Sequence, residues 1–169
     1  MRFELLSVHN EDLKQYKKDM QEAFQKGFED YFGKTDEIIL PAKDIDQSLA
    51  AKDSIAYKAV VDGKTAGGAI VEIDEETQHN HLDFLFVKRD VQNKGIGKKI
   101  WFEIEKLHPH TKEWETCTPY FDRRNIHFYV NVCGFHIVEF FNEKHPMEDE
   151  PEDFNGAGGE GMFGFIKEM

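Results

Sequence analysis

The stretch from residue 82 to residue 107 constrains the fold of this chain more than any other. Leu82 to Val87 is a nearly continuous apolar run, typical of a largely buried strand, although it carries one carboxylate, Asp83. A turn with two glycines follows, and apolar side chains then recur near helical spacing from Gly95 to Leu107. Trp114 to Thr118 is predicted as another strand. This order of strand, helix and strand indicates an α/β fold.

The remaining elements are predicted from the same two periodicities. The Asp62-Gly63 pair tolerates the positive φ angles of a tight turn, so the β-rich runs at 55–61 and 65–73 are expected to form a hairpin. Asn10 is expected to cap the first helix. Further strands are predicted at 3–8, 135–141 and 162–166, and further helices at 10–28, 41–51 and 122–133.

Length and charge limit the class of protein. The chain has 169 residues, which suits one domain spanning 1–169. It has 21 Lys and Arg against 33 Asp and Glu, a formal net charge of −12. Because such a chain repels phosphate backbones and anionic lipids, neither nucleic acid nor a membrane is expected as a partner. The acidic and glycine-rich stretch at 147–161 is expected to be a mobile loop.

Cysteine usage and the start of the chain indicate the compartment. Cys117 and Cys133 are the only cysteines and lack CxxC spacing, so no disulfide framework is expected. The chain start lacks the pattern of a cleaved leader, and no run approaches the roughly 18 apolar residues of a membrane span. We therefore expect a cytoplasmic protein. Cys133, just before Gly134, is expected to be a buried structural thiol.

Two histidine pairs raise the question of a metal site. His79 with His81, and His108 with His110, have spacings that let two imidazoles face one ion. A firm zinc site usually needs three or four protein ligands, and no matching cluster stands out in the sequence. We therefore expect both pairs to be solvated loop residues and predict no metal.

The glycine turn is the motif that most directly indicates a ligand. Its glycines let a phosphate approach the backbone, and the N–H groups at the start of the following helix attract an anion, with nearby lysines adding positive charge. The dinucleotide fingerprint would need Gly or Ala at Ile100, and a P-loop would need Gly at Gln92, so neither motif is present. The residues of this turn are Gln92, Asn93, Lys94, Gly95, Ile96, Gly97 and Lys98.

A second motif about thirty residues later makes the resemblance specific. Gln92-x-x-Gly95-x-Gly97 resembles the acyl-CoA pyrophosphate loop of the GNAT superfamily of N-acetyltransferases, and Phe128-Tyr129-x-x-x-x-Gly134-Phe135 resembles the helix and strand that follow it. The resemblance implies a mixed central sheet of six or seven strands with helices on both faces. The chain departs from the commonest pattern in having one more residue between Tyr129 and Gly134.

The resemblance also implies where acetyl-CoA binds. The cofactor would lie between two parallel strands that end near Val87 and Thr118, with the backbone of Phe86 and Val87 pairing with its pantetheine arm. The turn from Gln92 to Lys98 would hold the pyrophosphate. Asp122 and Asn125 stand where family members commonly have Asn and Ala, so Asn125 is a shifted candidate for an amide contact with the cofactor.

The chemistry implied is acetyl transfer to a primary amine by direct attack. Tyr129 is the candidate acid for the departing thiolate, and Asp83 or Glu72, directly or through water, is the candidate base. The backbone N–H of Val87 is the candidate donor to the thioester carbonyl. Alternatively, Tyr129 only packs its ring against neighbouring side chains, and either carboxylate faces solvent or forms an ion pair.

Two classes of function remain open at this stage. The first is an acetyl-CoA-dependent N-acetyltransferase whose acceptor is an amine on a small molecule or a peptide. The second is a non-catalytic acyl-CoA-binding or sensing module that keeps the glycine turn without the chemistry. The sequence names neither the acceptor nor the oligomeric state, and a homodimer stays open.

Overall fold

The computed structural model describes residues 1–91, 94–147 and 161–169. Gln92, Asn93 and all but the two ends of the predicted loop at 147–161 lie outside the described residues. The strands are β1 (Phe3–Ser7), β2 (Ser54–Val61), β3 (Lys64–Glu72), β4 (His79–Val87), β5 (Glu113–Pro119), β6 (His136–Phe141) and β7 (Met162–Glu168). The helices are α1 (Leu13–Phe32), α2 (Ala42–Ala50), α3 (Ile96–Leu107) and α4 (Arg123–His127), and a π-helical turn (Phe128–Val132) continues α4.

The strands form one mixed sheet of seven strands in the order β1-β2-β3-β4-β5-β7-β6. β4 and β5 run parallel, and the other neighbouring strands run antiparallel. The parallel pair is connected through α3, as the strand–helix–strand order predicts. β7, from the end of the chain, lies between β5 and β6. The predicted mixed sheet is confirmed.

Helices cover both faces of the sheet, because side chains along each strand alternate between two apolar clusters. On one face α3 and the π-helical turn pack against the sheet, with Trp101, Trp114 and Phe135 almost completely buried. On the other face α1 and α2 pack through Met20 and Ile45, which are also fully buried. The candidate cleft opens on the α1 and α2 face.

Two local predictions have different outcomes. The hairpin is confirmed, since Asp62 has φ 50° and Gly63 has φ 82° between β2 and β3. The prediction that Asn10 caps the first helix is wrong, because Asn10 lies in a single 3-10 turn ahead of α1. The carboxylate of Asp12 fixes that turn by accepting the His9 N–H at 2.9 Å and pairing with Lys58 at 3.1 Å.

None of the helices in the described part of the chain combines the length and the apolar character that crossing a membrane requires.

Candidate active site

The cleft exists because β4 and β5 separate. Within the described ranges the two strands pair over His79–His81 and Glu113–Glu115 and then part. Where the ladder ends, the Thr116 hydroxyl donates to the Leu82 carbonyl at 2.9 Å, so a side chain replaces the next backbone hydrogen bond. The opening continues into a cleft of about 1110 Å³. Phe86, Val87 and Thr118 line it, and their contact with a cofactor stays a prediction.

The glycine turn leads into α3 beside this cleft. Gly95 has φ 74°, a left-handed conformation that favours glycine, and α3 begins at the next residue. A Cβ at Gly97 would lie 3.4 Å from the Phe128 ring and 3.6 Å from a methyl group of Val87. Lys94 and Lys98 are exposed. Gly97 therefore also serves the packing of α3 against the next helix.

Asn125 lies in the cleft wall and hydrogen bonds to Thr118 of β5 and to Asp122 at the start of α4. Its side-chain amide donates to the Thr118 hydroxyl at 3.2 Å, and its backbone N–H donates to the Asp122 carboxylate at 3.0 Å. Asp122 is thus the N-cap of α4. Burial raises the pKa of Asp122 despite that hydrogen bond.

Tyr129 lies in a helical turn that is one residue wider than usual. The Cys133 N–H donates to the Phe128 carbonyl, five residues back, at 2.9 Å. This π-helical turn absorbs the extra residue between Tyr129 and Gly134, and such turns are frequent at functional sites. Tyr129 is only 6% exposed yet lines the cleft. Burial raises its pKa, so the hydroxyl keeps its proton at neutral pH.

A β-bulge in β4 directs Asp83 towards the cleft. Val71 pairs with Leu82 and Ile70 pairs with Phe84, so Asp83 has no register partner in β3. The alternation reverses at this point, and Leu82 packs on the α3 face whereas Phe84 packs on the α1 face. The Asp83 side chain is 9% exposed, and the Ser48 hydroxyl of α2 donates to it at 2.5 Å.

Glu72 and His81 complete a polar group around Asp83. His81 is the register partner of Glu72 in β3 and of Glu115 in β5, so these three residues form one row across the sheet. His81 Nδ1 lies 2.6 Å from Asp83 Oδ1. Glu72, His81 and Asp83 each bring a polar side-chain atom within 4.8 Å of the other two. The structure thus brings together Glu72 and Asp83, the two candidate bases predicted from the sequence.

Glu72, His81 and Asp83 shift one another's pKa values. Burial, together with the hydrogen bond and charge of Asp83, raises the pKa of Glu72 to about 7. Burial opposes the charged form of His81, but hydrogen bonds with Asp83 and Cys117 prevail and raise its pKa to about 10. Burial likewise opposes the Asp83 carboxylate, but hydrogen bonds from His81 and Glu72 lower its pKa. Around neutral pH these shifts favour the imidazolium of His81 and the carboxylate of Asp83, and they make Glu72 the carboxyl group that more readily keeps its proton.

His81 is the residue that the sequence prediction missed. Both His79 and His81 were expected in a solvated loop, which is wrong because β4 begins at His79. The residue between them, Asn80, is buried and donates to the Thr111 hydroxyl at 2.7 Å. The signal was the spacing of His81, which directly precedes the predicted strand 82–87, and Asp83, because residues two apart in an extended chain can share a face.

The other histidine pair and the cysteines have clear positions. His108 lies in the loop after α3 as predicted but is half-buried, with its Nε2 2.8 Å from the Tyr57 hydroxyl, and His110 is exposed in the turn that follows, as predicted. Cys133 is buried as predicted, and burial raises its pKa to about 12. Cys117, by contrast, lines the cleft beside His81. The expectation that no metal is needed stays a prediction.

Comparison with protein families shows which family the chain belongs to. The model of the acetyltransferase (GNAT) family matches residues 13–135, which include the glycine turn and the Tyr129 helix. The chain belongs to the GNAT acetyltransferase family. The predicted resemblance is thereby confirmed, and so is the prediction of an acetyltransferase.

The chain is also similar to individual proteins. The Bacillus subtilis (strain 168) protein "Uncharacterized protein YrkN" is 45% identical over 135 residues, covering 79% of this chain and 73% of the relative. The ribosomal-protein-S18-alanine N-acetyltransferase from Escherichia coli matches with TM-score 0.72 and 15% identity, over 99% and 94% of the two chains. The spermidine N-acetyltransferase from Vibrio cholerae, in complex with CoA and spermine, matches with TM-score 0.70 and 10% identity, over 98% and 95%. These two structures share the fold, while their acceptors are a protein and a polyamine.

Proposed function

We propose that this GNAT domain transfers the acetyl group of acetyl-CoA to a primary amine by direct attack. The observation that carries the proposal is the cleft between the separated strands β4 and β5, which is lined both by a buried tyrosine hydroxyl and by a carboxyl group with a raised pKa. Tyr129 supplies the first, and Glu72 beside Asp83 supplies the second. Amine acetylation needs an acid and a base of these kinds in one place.

The cofactor is proposed to bind along β4 and the start of α3. The segment Gln92 to Lys98 would hold its pyrophosphate, supported by the left-handed Gly95 and the exposed lysines on either side. Phe86 and Val87 would contact the pantetheine arm, and Asn125 would contact it from the opposite wall. The thioester that the cofactor brings supplies the acetyl group.

Residues near the point where β4 and β5 separate are proposed to accept and donate the protons of the reaction. A primary amine attacks only when neutral, and one with a pKa near 10.4 is almost fully protonated at pH 7. Glu72 or Asp83, directly or through water, accepts that proton. The backbone N–H of Val87 donates to the carbonyl oxygen as it gains charge. As the C–S bond breaks, Tyr129 protonates the departing thiolate, and the second proton that the attacking nitrogen loses on forming the amide returns to Tyr129 through water.

The charge of the cleft supports a cationic acceptor. Arg124 is the one Lys or Arg lining the cleft within the described residues, and acidic residues far outnumber it. A positively charged amine is drawn into such a cleft, whereas a carboxylate-bearing one is repelled. We therefore propose a cationic small molecule or a basic peptide as the acceptor. The acidic residues that line the cleft are Asp44, Asp53, Glu72, Asp74, Asp83, Glu115, Asp122 and Glu139.

CoA release with a panel of amines tests this function. The panel should pair a linear diamine with a monoamine of equal length and with an amino acid whose carboxylate replaces the second amine. We expect kcat/KM to fall in that order, because the acidic cleft stabilises a second positive charge. Glu115 lies at the exposed end of the row formed by Glu72, His81 and Glu115. Glu115→Gln should reduce the ratio of kcat/KM for the diamine to kcat/KM for the monoamine. Calorimetric binding of acetyl-CoA without CoA release for any amine would instead identify a binding or sensing module.

A further inference from the structure

His81 is a polar residue of the cleft that contacts a candidate base and to which the proposed chemistry gives no role. It stands in the sheet between the two acidic residues Glu72 and Glu115 and hydrogen bonds to a third, Asp83. The side chain of His81 is 39% exposed, so it lies at the cleft surface rather than in the apolar core. Its contact with Asp83 links it directly to the two candidate bases.

We propose that His81 is a positioning residue: as an imidazolium it holds Asp83 as a carboxylate, which leaves Glu72 as the group that takes the proton from the amine. This inference rests on the proposed function and chooses between the two carboxyl groups that it leaves open. In each turnover one proton passes from the amine to Glu72 and then to solvent. His81 keeps its own proton throughout.

The contacts of Asp83 support this assignment. Its Oδ1 atom is bound by His81 and its Oδ2 atom by the Ser48 hydroxyl, so both oxygens already accept hydrogen bonds. Hydrogen bonds to the charged form of a carboxyl group stabilise that form. Two neighbouring carboxyl groups resist ionising together, so the proton that they share resides on the one with fewer such bonds. That group is Glu72.

The residues around Glu72 and Asp83 do not reverse the preference of the shared proton for Glu72. α1 contributes no Asp, Glu, Lys, Arg or His to the cleft lining of the described residues, and Tyr31 is its titratable residue there. Most charged groups of the other elements are acidic, and each carboxylate among them raises the cost of a second carboxylate beside Asp83, whereas the positive charge of Arg124 lowers it. The acidic groups are Asp44 of α2, Asp53 before β2, Asp74 after β3, Glu115 of β5, Asp122 before α4 and Glu139 of β6, and the remaining titratable groups are His79 of β4, Cys117 of β5, Tyr129 and His145.

The pH dependence of kcat separates the possible roles. His81→Gln removes a positive charge near Glu72, so the rising limb of the profile should move about one unit towards alkaline pH, with an approximately fivefold loss of kcat at pH 7 and recovery near pH 9. Asp83→Asn removes a negative charge and should move the same limb towards acidic pH. Glu72→Gln should abolish the limb. His79→Gln, two residues earlier on β4, is the matched control and should leave the limb in place.

Two results would overturn the inference. The first is an unmoved limb in His81→Gln, and the second is loss of the limb in Asp83→Asn with its retention in Glu72→Gln. An NMR titration of the His81 imidazole tests the ion pair without any acetyl acceptor: we expect it to stay protonated well above the ordinary pKa of about 6.5, and to titrate lower in Asp83→Asn. Titration of wild-type His81 near 6.5 would contradict the ion pair, whereas failure of acetyl transfer alone would leave this titration unchanged.

Discussion

His81 and Asp83 are two residues apart on β4, and their side chains meet, with Nδ1 2.6 Å from Oδ1. Side chains at this spacing in a regular strand stand roughly 6.6 Å apart along the chain. The bulge at Asp83 bends β4 and brings the two groups into contact at the point where β4 leaves β5. The bulge in the β3–β4 pairing therefore stands directly beside the end of the β4–β5 pairing, and the charged group lies at this point of the sheet.

Turnover should rise with pH through a midpoint near 7. A base must be deprotonated to act, and the pKa of Glu72 is raised to about 7, so the active fraction grows as pH rises through that value. Glu72→Gln should lower kcat by about 10²- to 10⁴-fold while calorimetry finds CoA affinity unchanged. A pH profile that Glu72→Gln shares with the wild type would exclude Glu72 as the base.

Tyr129→Phe should reduce turnover far more than acetyl-CoA affinity. The change removes one hydroxyl and keeps the ring that packs against Phe135 and Phe165, so the fold should be retained. Loss of a positioned acid typically costs about 10²- to 10⁴-fold in rate. Steady-state kinetics measure the loss, and a thermal melt serves as the control. Wild-type turnover in a folded variant would leave Tyr129 with a packing role alone.

Substitution of Gly97 should weaken CoA binding according to side-chain size. A single methyl group at this position makes ordinary contact with Phe128, so Gly97→Ala should fold normally, whereas Gly97→Val adds two further methyl groups beside Phe128 and Val87, at the start of the helix proposed to hold the pyrophosphate. We expect at least a tenfold weaker Kd for Gly97→Val by calorimetry, about 1.4 kcal/mol. The Tm of each variant separates binding from packing. Unchanged affinity in folded Gly97→Val would show that the pyrophosphate binds elsewhere.

Glu72→Gln should stabilise the protein at alkaline pH. The folded pKa of Glu72, about 7, lies above its ordinary value of 4.5, so its contribution to stability is fully present below 4.5 and is lost as pH rises through 7. Because the carboxyl group is partly exposed, we expect a gain of only roughly 1 to 2 kcal/mol in the free energy of unfolding at pH 8. Urea unfolding of wild type and variant at pH 5 and pH 8 measures it. An equal difference at both pH values would contradict the raised pKa.

Acetyl transfer should proceed without a metal ion. The proposed acid and base need only the chain's own tyrosine and carboxyl groups, so dialysis against a chelator should leave kcat unchanged. Loss of activity that added divalent metal restores would contradict this expectation.

Features that depend on neighbouring residues were predictable from the sequence. The hairpin at Asp62-Gly63, the helix from Ile96 and the turn at Gly95 follow from turn chemistry and periodicity, which act over a few residues. The two spaced motifs, 92–97 and 128–135, were sufficient to indicate the GNAT family because their order along the chain carries information that neither has alone.

Only the tertiary structure decided which side chains meet in the cleft. Contact of Glu72 with His81 depends on the register between β3 and β4, and a one-residue shift turns a side chain to the other face of the sheet. The bulge at Asp83 makes such a shift, and no local pattern predicts it. The wide turn after Phe128 likewise lets one extra residue fit without moving Tyr129 from the cleft wall. The sequence by itself therefore determined the order of elements and the family, whereas pairing between distant strands determined the composition of the site.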